Sequence, residues 1–67
     1  MYYLKDIVTG QYAALKKRRG KVRVEYRDRP DNATFWSEVD IAAYALDRLE
    51  KSGAIPPMTL AIVGEEI

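Results

Sequence analysis

Val22, Val24 and Tyr26 alternate with Lys21, Arg23, Glu25 and Arg27, the period-two pattern of a strand with one face turned inward. Lys21 to Asp28 is therefore the clearest strand in the chain. Arg29-Pro30-Asp31-Asn32 closes it, since Pro30 cannot donate to a ladder and Asp and Asn favour turns. Ahead of it, Gln11 to Lys17 reads as an antiparallel partner, joined through a basic turn at Arg18-Arg19-Gly20-Lys21. Tyr12-Ala13-Ala14-Leu15-Lys16-Lys17-Arg18 also has high helix propensity, so two helical turns stopped by Gly20 compete with the strand. Tyr2 to Lys5 suits a first strand, and Asp6-Ile7-Val8-Thr9-Gly10 a short hairpin loop. Asp6 can bond nearby amides there, and Gly10 can take a left-handed conformation.

The period then changes. Ile41, Ala42, Ala45, Leu46 and Leu49 fall on one stripe at helical spacing, while Ala43, Asp47, Glu50 and Lys51 point away. Ser37-Glu38-Val39-Asp40 approximates a capping box at the start of this helix. Gly53 and Pro56-Pro57 end it. Thr34-Phe35-Trp36 adds a brief extended segment before it, with Phe35 and Trp36 expected to plug the helix's N-terminal end. Met58 to Val63 reads as a last strand, covered at least in part on both faces. The order is β-β-β-α-β: an α+β fold, a small four-stranded sheet with one helix on one face. Leu4, Leu15, Val22, Val24, Ile41, Ala45, Leu49, Leu60 and Ile62 are the expected core.

Sixty-seven residues make one domain, and a chain of this size buries only roughly 60% of its unfolded surface. Without Cys or His, disulfides, thiolate metal sites and the commonest general base are excluded. Ser37 has no His to activate it, and no glycine loop has phosphate-binding spacing, so no enzyme and no cofactor is expected. The absence of a long apolar run or a signal pattern points to a soluble, cytoplasmic protein without a membrane partner.

Charge changes the picture most. The net charge of +1 hides a polarity: eight of the eleven Lys and Arg lie between Lys16 and Arg29, beside only Glu25 and Asp28. From Asp31 onward seven acids face Arg48 and Lys51. Lys16, Lys17, Arg18, Arg19 and Lys21 suit contacts to phosphates. Arg23 and Arg27, on one strand face, suit groove or base contacts, and Arg29 extends the patch. The expected partner is nucleic acid, DNA ahead of RNA. The plain alternative is a solvated turn whose lysines discourage edge-to-edge association. Tyr2, Tyr3, Tyr12 and Tyr26 could stack bases on the open sheet face, although tyrosines are ordinary strand residues. Tyr44 is expected to pack ring inward with its hydroxyl out. Glu38, Asp40, Asp47 and Glu50 read as capping charges and a solvated helix face, and Glu65 and Glu66 as a solubilising tail.

Gly-Lys-Val-Arg-Val-Glu-Tyr-Arg-Asp-Arg-Pro, then Thr-Phe-Trp-Ser, then a helix, resembles the arm-binding domains of phage-type integrases over Arg18 to Gly53. Those domains set a three-stranded sheet in the DNA major groove, which implies groove-facing roles for Arg23 and Arg27. A second resemblance is to the lambda-type head-completion W proteins. There a Thr-Gly precedes a basic hairpin with a second glycine ten residues on, as Gly10 and Gly20 do here, and a Tyr-bearing helix follows, as Asp40 to Leu49 does. That family has an amphipathic helix where this chain has eight residues before Thr9. Both resemblances imply a phage or mobile-element protein. The alternative partner is another protein, bound by an accessory, an inhibitor or a head-tail ring subunit: charge is polarised along the chain, and the apolar Met58 to Val63 segment, if an uncovered edge or patch, would pair with another chain.

Overall fold

A computed structural model describes residues 1–65; the reading of Glu66 as part of a solubilising tail lies outside them. The elements are β1 (Tyr2–Asp6), β2 (Tyr12–Arg18), β3 (Lys21–Arg27), a 3-10 turn (Pro30–Asn32), β4 (Phe35–Trp36), α1 (Val39–Lys51) and β5 (Leu60–Gly64). The fold is α+β, as expected, but the sheet has five strands. The additional strand is Phe35–Trp36, the brief extended segment before the helix.

β1 is the hub. Along one side it pairs with β5 over its whole length, Tyr2 opposite Gly64 through Asp6 opposite Leu60. Along the other it is shared: Lys5 pairs with Tyr12 of β2, while Tyr2 and Tyr3 pair with Trp36 and Phe35 of β4. β2 thus leaves β1 almost at once, and residues 34–36 fill the gap. Thr34 holds this wedge, its N–H donating to Ala13 O (3.2 Å) and its Oγ1 accepting from Leu15 N–H (2.8 Å). β4 and β5 both run antiparallel to β1 and so parallel to each other, with α1 as their crossover.

The competition over residues 11–18 is settled for the strand. Tyr12 to Arg18 pairs residue for residue with Arg27 to Lys21. Its three consecutive buried residues, Tyr12, Ala13 and Ala14, put apolar surface on both faces, which a two-turn helix on the surface could not use. The β1–β2 loop forms as its residues dictate. Asp6 Oδ1 accepts from Val8 N–H (2.8 Å) and Thr9 N–H (2.9 Å), and Gly10 has φ +77°.

α1 is rich in Ala and Leu and ends in a Schellman arrangement. Gly53 N–H bonds Glu50 O and Ala54 N–H bonds Leu49 O, with Gly53 at φ +80°. Its start differs from expectation. The helix begins at Val39, Glu38 is the N-cap, and no side chain caps it, so the Ser37–Asp40 capping box does not form. Asp40 remains in the first turn, where the helix dipole favours a carboxylate.

The core is Leu4, Ala13, Leu49, Ile55 and Leu60, with Leu15, Val24, Trp36, Leu46, Ala54 and Ile62 packed around it. Val22 and Ile41 were expected there and are 40% and 47% exposed. For Val22 the reason is placement: α1 lies against β1, β4 and β5, leaving the outer part of the β2–β3 hairpin uncovered; Ile41 lies in the first turn of α1, off the line through buried Ala42 and Leu49. Tyr3, Tyr12 and Ala14 are buried on the opposite sheet face, a second small core that hydrophobic periodicity does not announce. Met58 lies outside β5, with φ +63° and an exposed side chain.

Candidate nucleic-acid interface

Register decides which charges share a surface. Across the hairpin Arg18 stands opposite Lys21, Lys16 opposite Arg23, Ala14 opposite Glu25 and Tyr12 opposite Arg27. Side chains alternate along a strand, so all of these project from one face. Leu15 opposite Val24, Lys17 opposite Val22 and Ala13 opposite Tyr26 project from the other. Leu15 and Val24 pack on the core below α1, so the second set is the helix side. The first set lies on the face turned away from the helix.

Five of the eight expected basic residues, Lys16, Arg18, Lys21, Arg23 and Arg27, therefore converge. The other three do not join them directly. Lys17 projects from the helix side, Arg19 sits in the turn, and Arg29 precedes the 3-10 turn beyond the end of β3. Lys16, Arg18, Lys21 and Arg23 are exposed. Arg27 is half-buried and pairs with Glu25 at 2.5 Å. The Arg27 bond, with Lys16 and Arg23 near, holds the Glu25 carboxyl below its ordinary value.

The tip is a two-residue turn, Arg19-Gly20, with φ +53° and +77°. Positive φ at both central residues defines the type I′ turn, whose twist matches that of the flanking strands. Gly20 adopts it freely. Arg19 does so against the steric preference of an L-residue.

Two groups that charge counting along the chain does not single out join the same face. Lys5 alternates onto it from β1, with its Nζ 5.0 Å from the centre of the Tyr12 ring. Phe35, 52% exposed, stands opposite Tyr3, with ring centres 6.2 Å apart. Strand pairing alone reveals both. Phe35 consequently does not plug the helix; Trp36, on the other face, is the one packed against the core.

The tyrosine stacking platform does not form. Tyr2 and Tyr26 lie on the helix side by register. Tyr3 and Tyr12 are buried edge-to-face at 5.8 Å, with no ring face free for a base. Tyr12 donates its hydroxyl to Glu65, and that bond, together with burial, raises the Tyr12 phenol above its ordinary value. Glu65 is thus a structural acceptor rather than a free solubilising charge.

The acids of α1 and its cap, Glu38, Asp40, Asp47 and Glu50, sit across the sheet from the basic face. Asp47 pairs with Lys51 (3.0 Å), and Glu50 accepts from Met58 N–H (3.1 Å). Among the described residues no group of acids is placed to hold a metal ion, and no helix is long and apolar enough to cross a membrane. Tyr44 is exposed rather than tucked in, with the Arg48 guanidinium 5.8 Å from its ring centre and donating to its hydroxyl.

Comparison with protein-family models, with curated proteins and with solved structures returns no match.

Proposed function

We propose that this protein is a non-catalytic nucleic-acid-binding module that lays the helix-free face of its β2–β3 ribbon on DNA. One observation carries the reading: pairing places Lys16, Arg18, Lys21 and Arg23 on one exposed face, while the acids of α1 lie on the other side of the sheet. A two-stranded ribbon fits the major groove of B-form DNA, whereas that of A-form RNA is too deep and narrow for side chains to read. Lys16, Arg18 and Lys21 serve as phosphate contacts, with Lys17 and Arg19 reaching the flanking backbone. Arg23, mid-strand, is the base-edge reader. Arg27 shares that role only by giving up Glu25, and Arg29 contributes at most to the surrounding field.

The test is binding to duplex DNA between about 50 and 200 mM salt. The five phosphate contacts give a log–log slope of about −4.5, and charge-reversing Lys16 and Lys21 together removes at least about two-fifths of it. Absence of binding at the lowest salt, or a flat salt response, rejects the reading.

A second reading has its own support. Between the hairpin and the C-terminal part of α1 lies an open groove of about 590 Å³, floored by Leu15, Val22, Ala45 and Leu49 and edged by Lys21 and Arg48. No acid lines it. A protein-binding accessory would use this groove rather than the opposite face. An Ala45→Asp variant, changed on the helix wall of the groove, that leaves the DNA salt slope unchanged keeps the two surfaces distinct.

A further inference from the structure

β5 ends the sheet on one side, and among the described residues no strand lies beyond it. Its backbone can be sorted group by group. Ile7 N–H bonds Thr59 O (3.1 Å) and Glu65 N–H bonds Met1 O (2.9 Å), both in the register that pairs Tyr3 with Val63 and Lys5 with Ala61. In an antiparallel ladder the bonded pairs alternate, so the amides and carbonyls of Thr59, Ala61, Val63 and Glu65 face β1. Those of Leu60, Ile62 and Gly64 face outward, with no backbone partner among the described residues.

Open edges are normally protected by charge, proline or a bulge. β3, the opposite edge, follows that rule with Lys21, Arg23 and Arg27. β5 does not. Leu60-Ala61-Ile62-Val63-Gly64 has no charge and no proline. A strand facing its own copy across a twofold axis must tolerate its own side chains. β3 would set Lys21 against Arg27, whereas β5 sets only apolar residues against apolar ones.

We infer that β5 is a self-association edge: two copies of the chain pair β5 to β5, antiparallel, about a twofold axis at Ile62. Leu60 then stands opposite Gly64 of the second copy, Ile62 opposite its own mate, and Ala61 opposite Val63. The three outward pairs exchange about six N–H···O bonds. The axis is perpendicular to the sheet, so both helices lie on one side and both basic faces on the other. At about 4.8 Å per strand the two hairpins are roughly 30 Å apart, or nearer 40 Å if β4 is counted between β1 and β2. That span brackets the 34–36 Å between half-sites one duplex turn apart. The match to DNA rests on the proposed function; the dimer itself does not.

Light scattering on the whole chain, without nucleic acid, tests it directly. The expected mass is twice 7.7 kDa, falling to 7.7 kDa on dilution over a roughly hundredfold range. In amide exchange at high concentration, Ile62 and Gly64 should be as slow as Ala61 and Val63. An Ala61→Lys/Val63→Lys pair should be monomeric, and mixing it with Ala61→Glu/Val63→Glu should restore the doubled mass. A wild-type mass of 7.7 kDa throughout, or fast exchange at Ile62 and Gly64, overturns the proposal even if the variants fail to fold. A dimer that ignores folded lysine variants overturns it too. A dimer that binds no DNA leaves this inference standing and rejects the proposed function instead.

Discussion

Lys16 and Arg23 stand directly opposite each other on the exposed face of the hairpin, two cations where a stable sheet would place a complementary pair. Like charges in that position destabilise, and opposite ones contribute roughly 0.2–1 kcal/mol. Lys16→Glu should therefore raise the unfolding free energy from urea titration by an amount in that range while weakening DNA binding. If stability and affinity fall together, the pair has no conflict between folding and binding to resolve.

The turn offers a second separation of the two. Arg19 at φ +53° bears a steric cost of about 1–2 kcal/mol that Asn, tolerant of this conformation, largely avoids. Arg19→Asn creates an Asn-Gly turn and should stabilise the protein by about 1 kcal/mol in chemical denaturation. Arg19→Val should destabilise it. Equal stability of the two variants would show that the turn conformation does not govern the hairpin.

Leu4 and Val22 divide the apolar residues into two kinds. Leu4 is fully buried at the centre of the core, and Leu4→Ala should cost about 2–5 kcal/mol, enough to leave a chain of this size largely unfolded. Val22→Ala, at an uncovered position, should change stability by no more than about 0.5 kcal/mol. Thermal melts of the two variants check the contrast.

Tyr12 and Asp6 each make stability depend on pH. The Tyr12 phenol is raised by its bond to Glu65, so its contribution is complete below pH 10 and is lost as pH climbs through the higher folded value. Tyr12→Phe should flatten the alkaline limb of a stability–pH curve. Asp6 is lowered by the Thr9 and Val8 amides, so its contribution is present above pH 3.8 and is lost as pH falls through the lower folded value. Asp6→Asn, which retains the acceptor oxygen, should flatten the acid limb. An unchanged profile in either variant removes that group from the account.

Much of this arrangement is legible in the residues, for reasons that can be named. The alternation of Lys21 to Arg27 is strict, although of its apolar face only Val24 packs against the core while Val22 and Tyr26 stay exposed. The α1 stripe is equally plain, and its residues Ala42 and Leu49 are buried. What could not be read is which part of the sheet the helix covers. Val22 and Ile41 have the same chemistry as Leu4 and Leu49; the placement of α1 over β1, β4 and β5 leaves Val22 uncovered, and the turn of α1 about its axis leaves Ile41 off the buried line of Ala42 and Leu49. The clustering of charge along the chain was visible. Its division between two faces was not, because a shift of one residue in pairing would exchange Lys16 for Lys17 on the basic side. Lys5 and Phe35 joined that side through pairing partners distant in sequence.

Thr34 has an effect that reaches beyond its two hydrogen bonds. By standing between β2 and β1 it turns the charged ribbon into an arm that meets the body through Tyr12 to Leu15 and Val24, leaving its outer end unsupported. Such an arm can be rewritten at its outer end, residue by residue, while the cluster around Leu4 goes undisturbed. The proposed contact surface and the residues that keep the molecule folded are thereby separate sets of side chains.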